Sequence, residues 1–335
     1  MAKKFFISFG VTFGALGIVL AAVLAVFMAG DGAFAAEEAY FVAAAALPGE
    51  MPRAVPAVYE EAVYDDYFDD YFDDYFYEEV YEEYFYEPEP LDLPTYTIDN
   101  LLRPRGGNVS LLYMNLETGF THTYNPDRVF FGASLNKINH ALYVWTLADR
   151  GYVNINHIHT LEARHIRSGT GRMQYMAPGT SFTTRELLHH SIRHSDNTAA
   201  HMLITHTAGQ SFAYMDFLRE IGAYEGFGAN IAAQNTNVRD AAVWLAAVHE
   251  FINSESPFAQ YFMADLFAAP AFIMSDYPMA SKYGWATASF HDAAVVYAPS
   301  PYILIILSNI EEGDFTLFAN VSLRVQAFNR YWFGE

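Results

Sequence analysis

The sequence predicts an α+β domain in which strands at both ends of the folded region build one sheet and a helical lobe is inserted between them. Three observations predict it. Asn108–Asn115 and Phe120–Tyr124 read as two strands joined by a turn at Glu117-Thr118-Gly119. Far along the chain, Met279–Ser289, Ala293–Tyr297 and Tyr302–Ser308 alternate or run apolar between turn residues, and read as three consecutive strands. Between the two sets, apolar residues recur at helical spacing.

Pro94 ends an acidic stretch, and Thr97–Leu102 reads as a short first helix after it. From Ser134 a helix continues through Leu147, with Leu135, Ile138, Leu142 and Trp145 on its apolar positions. The capping box Thr183-Thr184-Arg185-Glu186 opens another, which continues to about His194. Asn237 can cap a third over Val238 to Ile252, and a final amphipathic helix covers Phe315 to Trp332.

Composition divides the 335 residues into three parts. Residues 1–35 carry two lysines and one aspartate, residues 36–94 eighteen acids against one arginine, and residues 95–335 twenty acids against fifteen bases. The net charge of −21 therefore belongs mostly to the middle segment, and nothing is basic enough to hold nucleic acid. With no cysteine, disulfides, thiolate metal sites and a lipid-modified N-terminal cysteine are all excluded. Phe5 to Met28 is an uncharged apolar run behind Lys3 and Lys4, long enough to span a bilayer core of about 30 Å. The expectation is a single-pass anchor in the cell membrane, with everything after it extracytoplasmic. Ala33-Phe34-Ala35 offers the alternative of cleavage after Ala35 and secretion. In residues 36–94 the unit DDYF recurs every four residues from Asp65 to Phe76, and fifteen acids between Glu60 and Asp92 meet no base. Such blocks repel and stay extended, which suits a spacer; cations or a basic partner are the alternative, and the partner is not named by the sequence.

Lysine is scarce: Lys3, Lys4, Lys137 and Lys282, against fourteen arginines. Arginine supplies the ordinary positive charge, so the two internal lysines are candidates for chemistry, because a buried lysine can lose its proton. Ser134 precedes Lys137 by three residues at the start of a helix, where free N–H groups favour negative charge on an attacking oxygen. Lys137, one turn along and packed among Phe130, Phe131, Leu142 and Trp145, would be partly desolvated and able to accept the serine proton. Alone, S-x-x-K reads as readily as a cap serine and a snorkelling lysine.

Two further elements change that reading: Ser195-Asp196-Asn197 between two helices, and Lys282-Tyr283-Gly284 on a strand. S-x-x-K, S-D-N and K-x-G in this order resemble the penicillin-recognising serine hydrolases, specifically class A β-lactamases. YNPDRVFFGASLNKI, SGTGRMQ with Pro178-Gly179-Thr180, HSDNTAAHMLI, QNTNVRDAA and SKYGWATASFHDAAVV extend the likeness over about residues 96–335. It implies a β-lactamase/D,D-peptidase-like fold: an antiparallel sheet flanked by helices and packed on an all-helical lobe, with the site in the cleft. It implies that Ser134 is acylated by a β-lactam or a peptidoglycan stem peptide, with Lys137 as base. By the same resemblance Ser195 relays a proton to the leaving nitrogen and Lys282 supplies positive charge beside it. Asn197 binds the substrate amide, Asp196 holds the turn, and Gly284 lies in the substrate-binding strand. The N–H groups of Ser134 and Trp285 form the oxyanion hole. No cofactor and no metal is implied.

Two departures qualify the resemblance. The family's Ω-loop glutamate, which activates the deacylating water, has no counterpart in E-x-x-L-N form between Ile221 and Asn237, where Glu225 is the one glutamate. Tyr283 replaces the small hydroxyl residue that in the family helps to bind the substrate carboxylate. His190 and His194, four apart with His189 and His201 near, have a spacing compatible with a metal. Without H-E-x-x-H they read as polar surface. Gly169-Thr170-Gly171 lacks the G-K-[ST] of a phosphate loop. The functions left open are a β-lactamase, a peptidoglycan D,D-carboxypeptidase or other penicillin-binding protein, and a non-catalytic wall-binding or sensor protein. Because residues 37–94 repel one another, a chain beginning near Leu91 is expected to fold and melt like the whole ectodomain. Loss of cooperative melting on that truncation, followed by circular dichroism, would show that the acidic segment packs on the domain.

Overall fold

The computed structural model describes residues 95–207, 211–223, 235–310 and 315–334. The apolar run 5–28, the cleavage site after Ala35, the acidic segment 36–94 and Glu225 lie outside the described residues. Among those described, no helix is long and apolar enough to cross a membrane.

Helix α1 (Tyr96–Leu102) leads through a 3₁₀ turn into β1 (Val109–Asn115) and β2 (Thr121–Tyr124). After β3 (Phe130–Phe131) and a 3₁₀ turn at Ala133–Asn136 come α2 (Lys137–Asp149), β4 (Ile158–Thr160), β5 (Ser181–Thr183), α3 (Thr184–Arg193) and α4 (Asn197–Thr207). There follow α5 (Ser211–Glu220), β6 (Asn235–Thr236), α6 (Val238–Ile252) and α7 (Ala259–Phe267). The chain returns to the sheet with β7 (Met279–Ala286), β8 (Ser289–Val296) and β9 (Tyr302–Ser308), then ends in α8 (Phe315–Phe333).

The main sheet has the order β2-β1-β9-β8-β7 and is antiparallel throughout. Val109 pairs with Ser308 and Asn115 with Tyr302, so the two ends of the domain meet at its centre. Alternation along each strand serves two cores. Leu111, Tyr113, Leu304 and Ile306 pack with Phe318, Val321 and Val325 of α8 and with Ile98 of α1. Leu112, Ile303, Ile305 and Leu307 join the larger core with α2, α3 and α6. Burial of both faces explains why YILIILS is an unbroken apolar run rather than an alternating one.

Helix α2 runs through the lobe, and nine of its thirteen residues are buried. A helix enclosed on nearly all sides has little reason to keep a polar face, so its period is weak. Trp145 lies near-parallel to Tyr261, with the indole inside the core. The capping box closes as expected: Thr183 Oγ1 accepts from Glu186 N, and Thr183 N donates to Glu186 Oε2 at 2.6 Å. Asn237 Oδ1 likewise accepts from Asp240 N at 2.9 Å and starts α6.

The β7–β8 hairpin differs from its sequence expectation. Its turn lies at Thr287-Ala288, not around Phe290–Asp292, because β8 already begins at Ser289. The turn has none of the glycine, asparagine or proline that usually mark one. Asp292, which reads as a turn residue, is fully buried, and its carboxylate accepts the backbone N–H groups of Phe272, Ile273 and Ala293. Replacing the cap of α6, Asn237→Ala, is expected to cost about 1 kcal/mol. A denaturant titration should show the midpoint lowered with its slope unchanged.

Candidate active site

Ser134 is half-buried in the 3₁₀ turn, three residues before the element expected to carry it becomes α-helical at Lys137. The turn is anchored on both sides. β3 pairs with β6, Phe130 opposite Thr236, immediately upstream. Ala133, just before the serine, has φ 47°, and Ser195 has φ 50°. Three non-glycine residues among those described adopt positive φ, and two of them stand at this site. Conformations of that kind cost of order 1–3 kcal/mol and persist only where the surroundings impose them.

Lys137 joins the serine turn to the Ser195-Asp196-Asn197 turn. Its Nζ donates to Ser195 O, to Ser195 Oγ at 3.1 Å and to Asn197 Oδ1 at 2.8 Å. Ser134 Oγ is not among these acceptors. The lysine was expected to reach back to the serine, and instead it extends across the cleft. Burial holds its pKa well below the ordinary lysine value, the charge of Lys282 lowers it further, and Asp196 opposes both. A depressed pKa is what a lysine base requires.

Asp196 is fully buried. Oδ1 accepts Thr198 N and Ala199 N at 2.8 and 2.9 Å, capping α4, and Oδ2 accepts Met173 N at 2.8 Å. Burial raises its pKa against the pull of these N–H groups. Asn197 Nδ2 donates to Ser168 O at 2.9 Å, and Asn197 N to Thr170 O at 3.0 Å, so the Gly169–Gly171 loop lies directly on the turn. At Gly171, φ is 96° and an added Cβ would strike the Asp196 carboxylate. That glycine is a packing requirement, not part of a phosphate loop.

The third wall is β7. A Cβ on Gly284 would lie 2.8 Å from Gly132 O and 2.9 Å from Leu135 N, so the strand backbone rests on the serine turn. The peptide of Trp285 follows at once. Lys282 is fully buried, and burial lowers its pKa to about 7 against the opposing charge of Asp292. Its Nζ donates to Tyr283 O at 3.2 Å and sits 4.0 Å from the Tyr283 ring centroid. The Tyr283 side chain is buried beside Phe272 in the core under α8, rather than projecting as a free hydroxyl into the cleft.

Sequence reasoning missed His291. It is fully buried opposite Gly284 in the β7–β8 register. Nδ1 accepts Ser308 N at 3.0 Å, so Nε2 carries the proton and donates to Phe131 O at 2.8 Å. The histidine thus ties the sheet to the strand that enters the serine turn. Burial lowers its pKa to about 4, which keeps the ring neutral and the tautomer fixed at neutral pH. Only a histidine inside an apolar strand hinted at it. The His189–His194 group is also partly buried. His190 is buried against Phe182, and His189 Nδ1 lies 2.6 Å from Asp265 Oδ1. Among the described residues no three His, Asp or Glu side chains are placed to hold a metal ion.

These walls bring Lys137, Ser195 and Asn197 together, with Gly284 resting on the turn that carries Ser134. The pattern of the beta-lactamase enzyme family matches residues 94–325. The chain belongs to that family. PBP-A is similar over 70% of this chain and 97% of its own, at 22% identity and a TM-score of 0.61. A beta-lactamase from Sphaerobacter thermophilus covers 71% of this chain and 97% of its own, at 19% identity and the same score. An ancestral class A beta-lactamase covers 69% and 98%, at 21% identity and 0.59. At such identities the likeness establishes the fold. No curated protein matches. For a member of this family, the contact between β7 and the serine turn should be critical. Gly284→Ala is expected to lower stability by about 1–3 kcal/mol, because backbone atoms must give way. Denaturant midpoints, read with the labelling rate of Ser134 by a fluorophosphonate, check it: both should fall.

Proposed function

We propose that the protein is a membrane-anchored, extracytoplasmic serine hydrolase. It is acylated at Ser134 by β-lactams or D-alanyl-D-alanine peptides and releases the acyl group slowly. One observation carries the reading: Lys137, one helical turn after Ser134, has its Nζ 3.1 Å from Ser195 Oγ, the second contact of a proton relay.

In its neutral form Lys137 takes the Ser134 Oγ proton as Oγ attacks the substrate carbonyl. The carbonyl oxygen becomes an oxyanion, received by the N–H groups of Ser134 and Trp285; losing one such donor typically costs roughly a hundred- to a thousandfold in rate. As the tetrahedral intermediate collapses, the C–N bond breaks and its electron pair goes to nitrogen. Ser195 gives that nitrogen its hydroxyl proton and is reprotonated by Lys137, leaving the Ser134 ester and the free amine. Asn197 faces the acyl side. Release requires an activated water. The two buried carboxylates of the site, Asp196 and Asp292, are each taken up by three backbone N–H groups. Neither is free to serve as that base. The similarity to PBP-A, a mutant of which is known as its acyl-enzyme with penicillin G, supports an acylated serine. The apolar run 5–28 supports the anchor.

Mixed with a fluorescent penicillin, the protein should gain one adduct at Ser134 and hold it for minutes or longer in intact-mass spectra. Rapid nitrocefin hydrolysis without an adduct would make it a true β-lactamase. Neither adduct nor turnover, with Ser134→Ala leaving wall-peptide binding unchanged, would make it a binding protein.

Lys137→Arg should abolish acylation while the fold survives, because arginine keeps its proton. In the native protein the acylation rate should climb with pH as Lys137 loses its proton. The midpoint should lie below the 10.5 of an ordinary lysine.

A further inference from the structure

The strand that enters the serine turn is short. β3 has two residues, and its ladder to β6 joins Phe130 with Thr236 and Phe131 with Asn235. Ser134 follows three residues later, and Ala133 between them holds φ 47°. A non-glycine residue keeps such a backbone only where its surroundings impose it, so the strand before it needs more than two ladder pairs to hold it. His291 supplies the further anchor. Its ring is fully buried, edge-on to Phe130 with centroids 5.7 Å apart, and Nε2 donates to Phe131 O at 2.8 Å. The ring is fixed from its other side, where Nδ1 accepts Ser308 N at 3.0 Å on β9, the central strand of the sheet.

The backbone of the same residue faces the opposite wall. His291 pairs with Gly284 across the β7–β8 ladder, and Trp285 is the next residue along β7. The approach of Gly284 to Gly132 O and Leu135 N is close packing. Packing resists compression, but only a hydrogen bond fixes both distance and direction. Through its ladder, His291 thus holds the strand that carries Trp285 N–H. Through its ring, it holds the strand that leads to Ser134 N–H.

We propose that His291 is a positioning residue for acylation. By tying Phe131 O to the β7–β8 ladder, it sets the separation of the Ser134 and Trp285 N–H groups that receive the oxyanion. The inference rests on Ser134 being the acylated serine, and it adds a residue that acts through the turn without touching substrate. Oxyanion donors work because they are already aimed where charge develops, so an anchor that fixes their spacing acts on the chemical step rather than on binding.

Two variants of the full-length chain separate the two ring nitrogens. In His291→Asn the amide oxygen stands where Nδ1 was, which keeps Ser308 N and gives up Phe131 O. In His291→Gln the longer amide reaches where Nε2 was, which keeps Phe131 O and gives up Ser308 N. Each loses one buried hydrogen bond, so denaturant midpoints should fall similarly in both. Acylation by benzylpenicillin, followed by stopped flow, should separate them. In His291→Asn the limiting acylation rate is expected to fall about ten- to a hundredfold, with the dissociation constant of the initial complex unchanged. His291→Gln should keep most of the native rate. The infrared band of the acyl-enzyme carbonyl should move to higher frequency in His291→Asn alone, because weaker donors polarise the ester less. Equal acylation rates in the two variants, a slower His291→Gln, or a change confined to the dissociation constant would overturn the proposal. So would a carbonyl band unmoved in His291→Asn. If His291→Asn does not fold, His291→Gln decides: a native carbonyl band and near-native rate bear the proposal out, and loss of either overturns it. If benzylpenicillin does not acylate Ser134 of the native chain, the functional reading falls. Amide exchange at Ser134 and Leu135 then decides the positioning, faster in His291→Asn than in His291→Gln if the ring holds the turn, and equal in both if it does not.

Discussion

One amine holds the site in register. Lys137 Nζ makes hydrogen bonds with Ser195 O, Ser195 Oγ and Asn197 Oδ1. A polar group withdrawn from water needs such partners, and they must be kept in place by something else. Asp196 does this by capping α4 with one oxygen and fastening Met173 N with the other. Met173 belongs to the loop that Gly171 brings against the carboxylate. A change at Gly171 would therefore reach the base through Asp196 and the turn, although it touches neither Ser134 nor Lys137.

The cleft repeats one electrostatic device. Each internal lysine has an aspartate whose charge favours its protonated form, Asp196 for Lys137 and Asp292 for Lys282. In both cases the carboxylate is used up by backbone N–H groups rather than by a direct ion pair. Burial therefore wins over attraction, and both lysines sit below their ordinary pKa. A direct pair would have pinned the protons on nitrogen. Held at one remove, the acids steady the turns and leave the amines able to exchange protons.

Much of this was legible in the chain. The strands at both ends, the Thr183–Glu186 box and the Asn237 cap could be read because each rests on local chemistry. The S-x-x-K, S-D-N and K-x-G residues were legible as a set, since scarcity of lysine and their order pointed the same way. What could not be read depended on residues far apart in sequence. Tyr283 looked like a substrate contact, but its place depends on Phe272 and α8. Asp292 looked like a turn, because nothing local shows that Phe272 and Ile273 will deliver two N–H groups to it. His291 showed only as a histidine inside an apolar strand, as its role depends on Phe131 and Ser308. Short pairs such as β3 with β6 are likewise fixed by tertiary contact, not by propensity.

The site is assembled on a seam. Ser134, Lys137 and the Ser195–Asn197 turn belong to the stretch between β2 and β7, while Gly284 and Trp285 belong to the returning strands. Those strands reach the sheet through β9, which pairs with β1 across nearly the whole domain, Val109 to Ser308. Pairings of such separation pay a large loop-closure entropy before their contacts are rewarded. His291 joins the two parts directly, one ring nitrogen on Ser308 and the other on Phe131. The contact between the serine turn and β7 thus has its support from both halves of the chain.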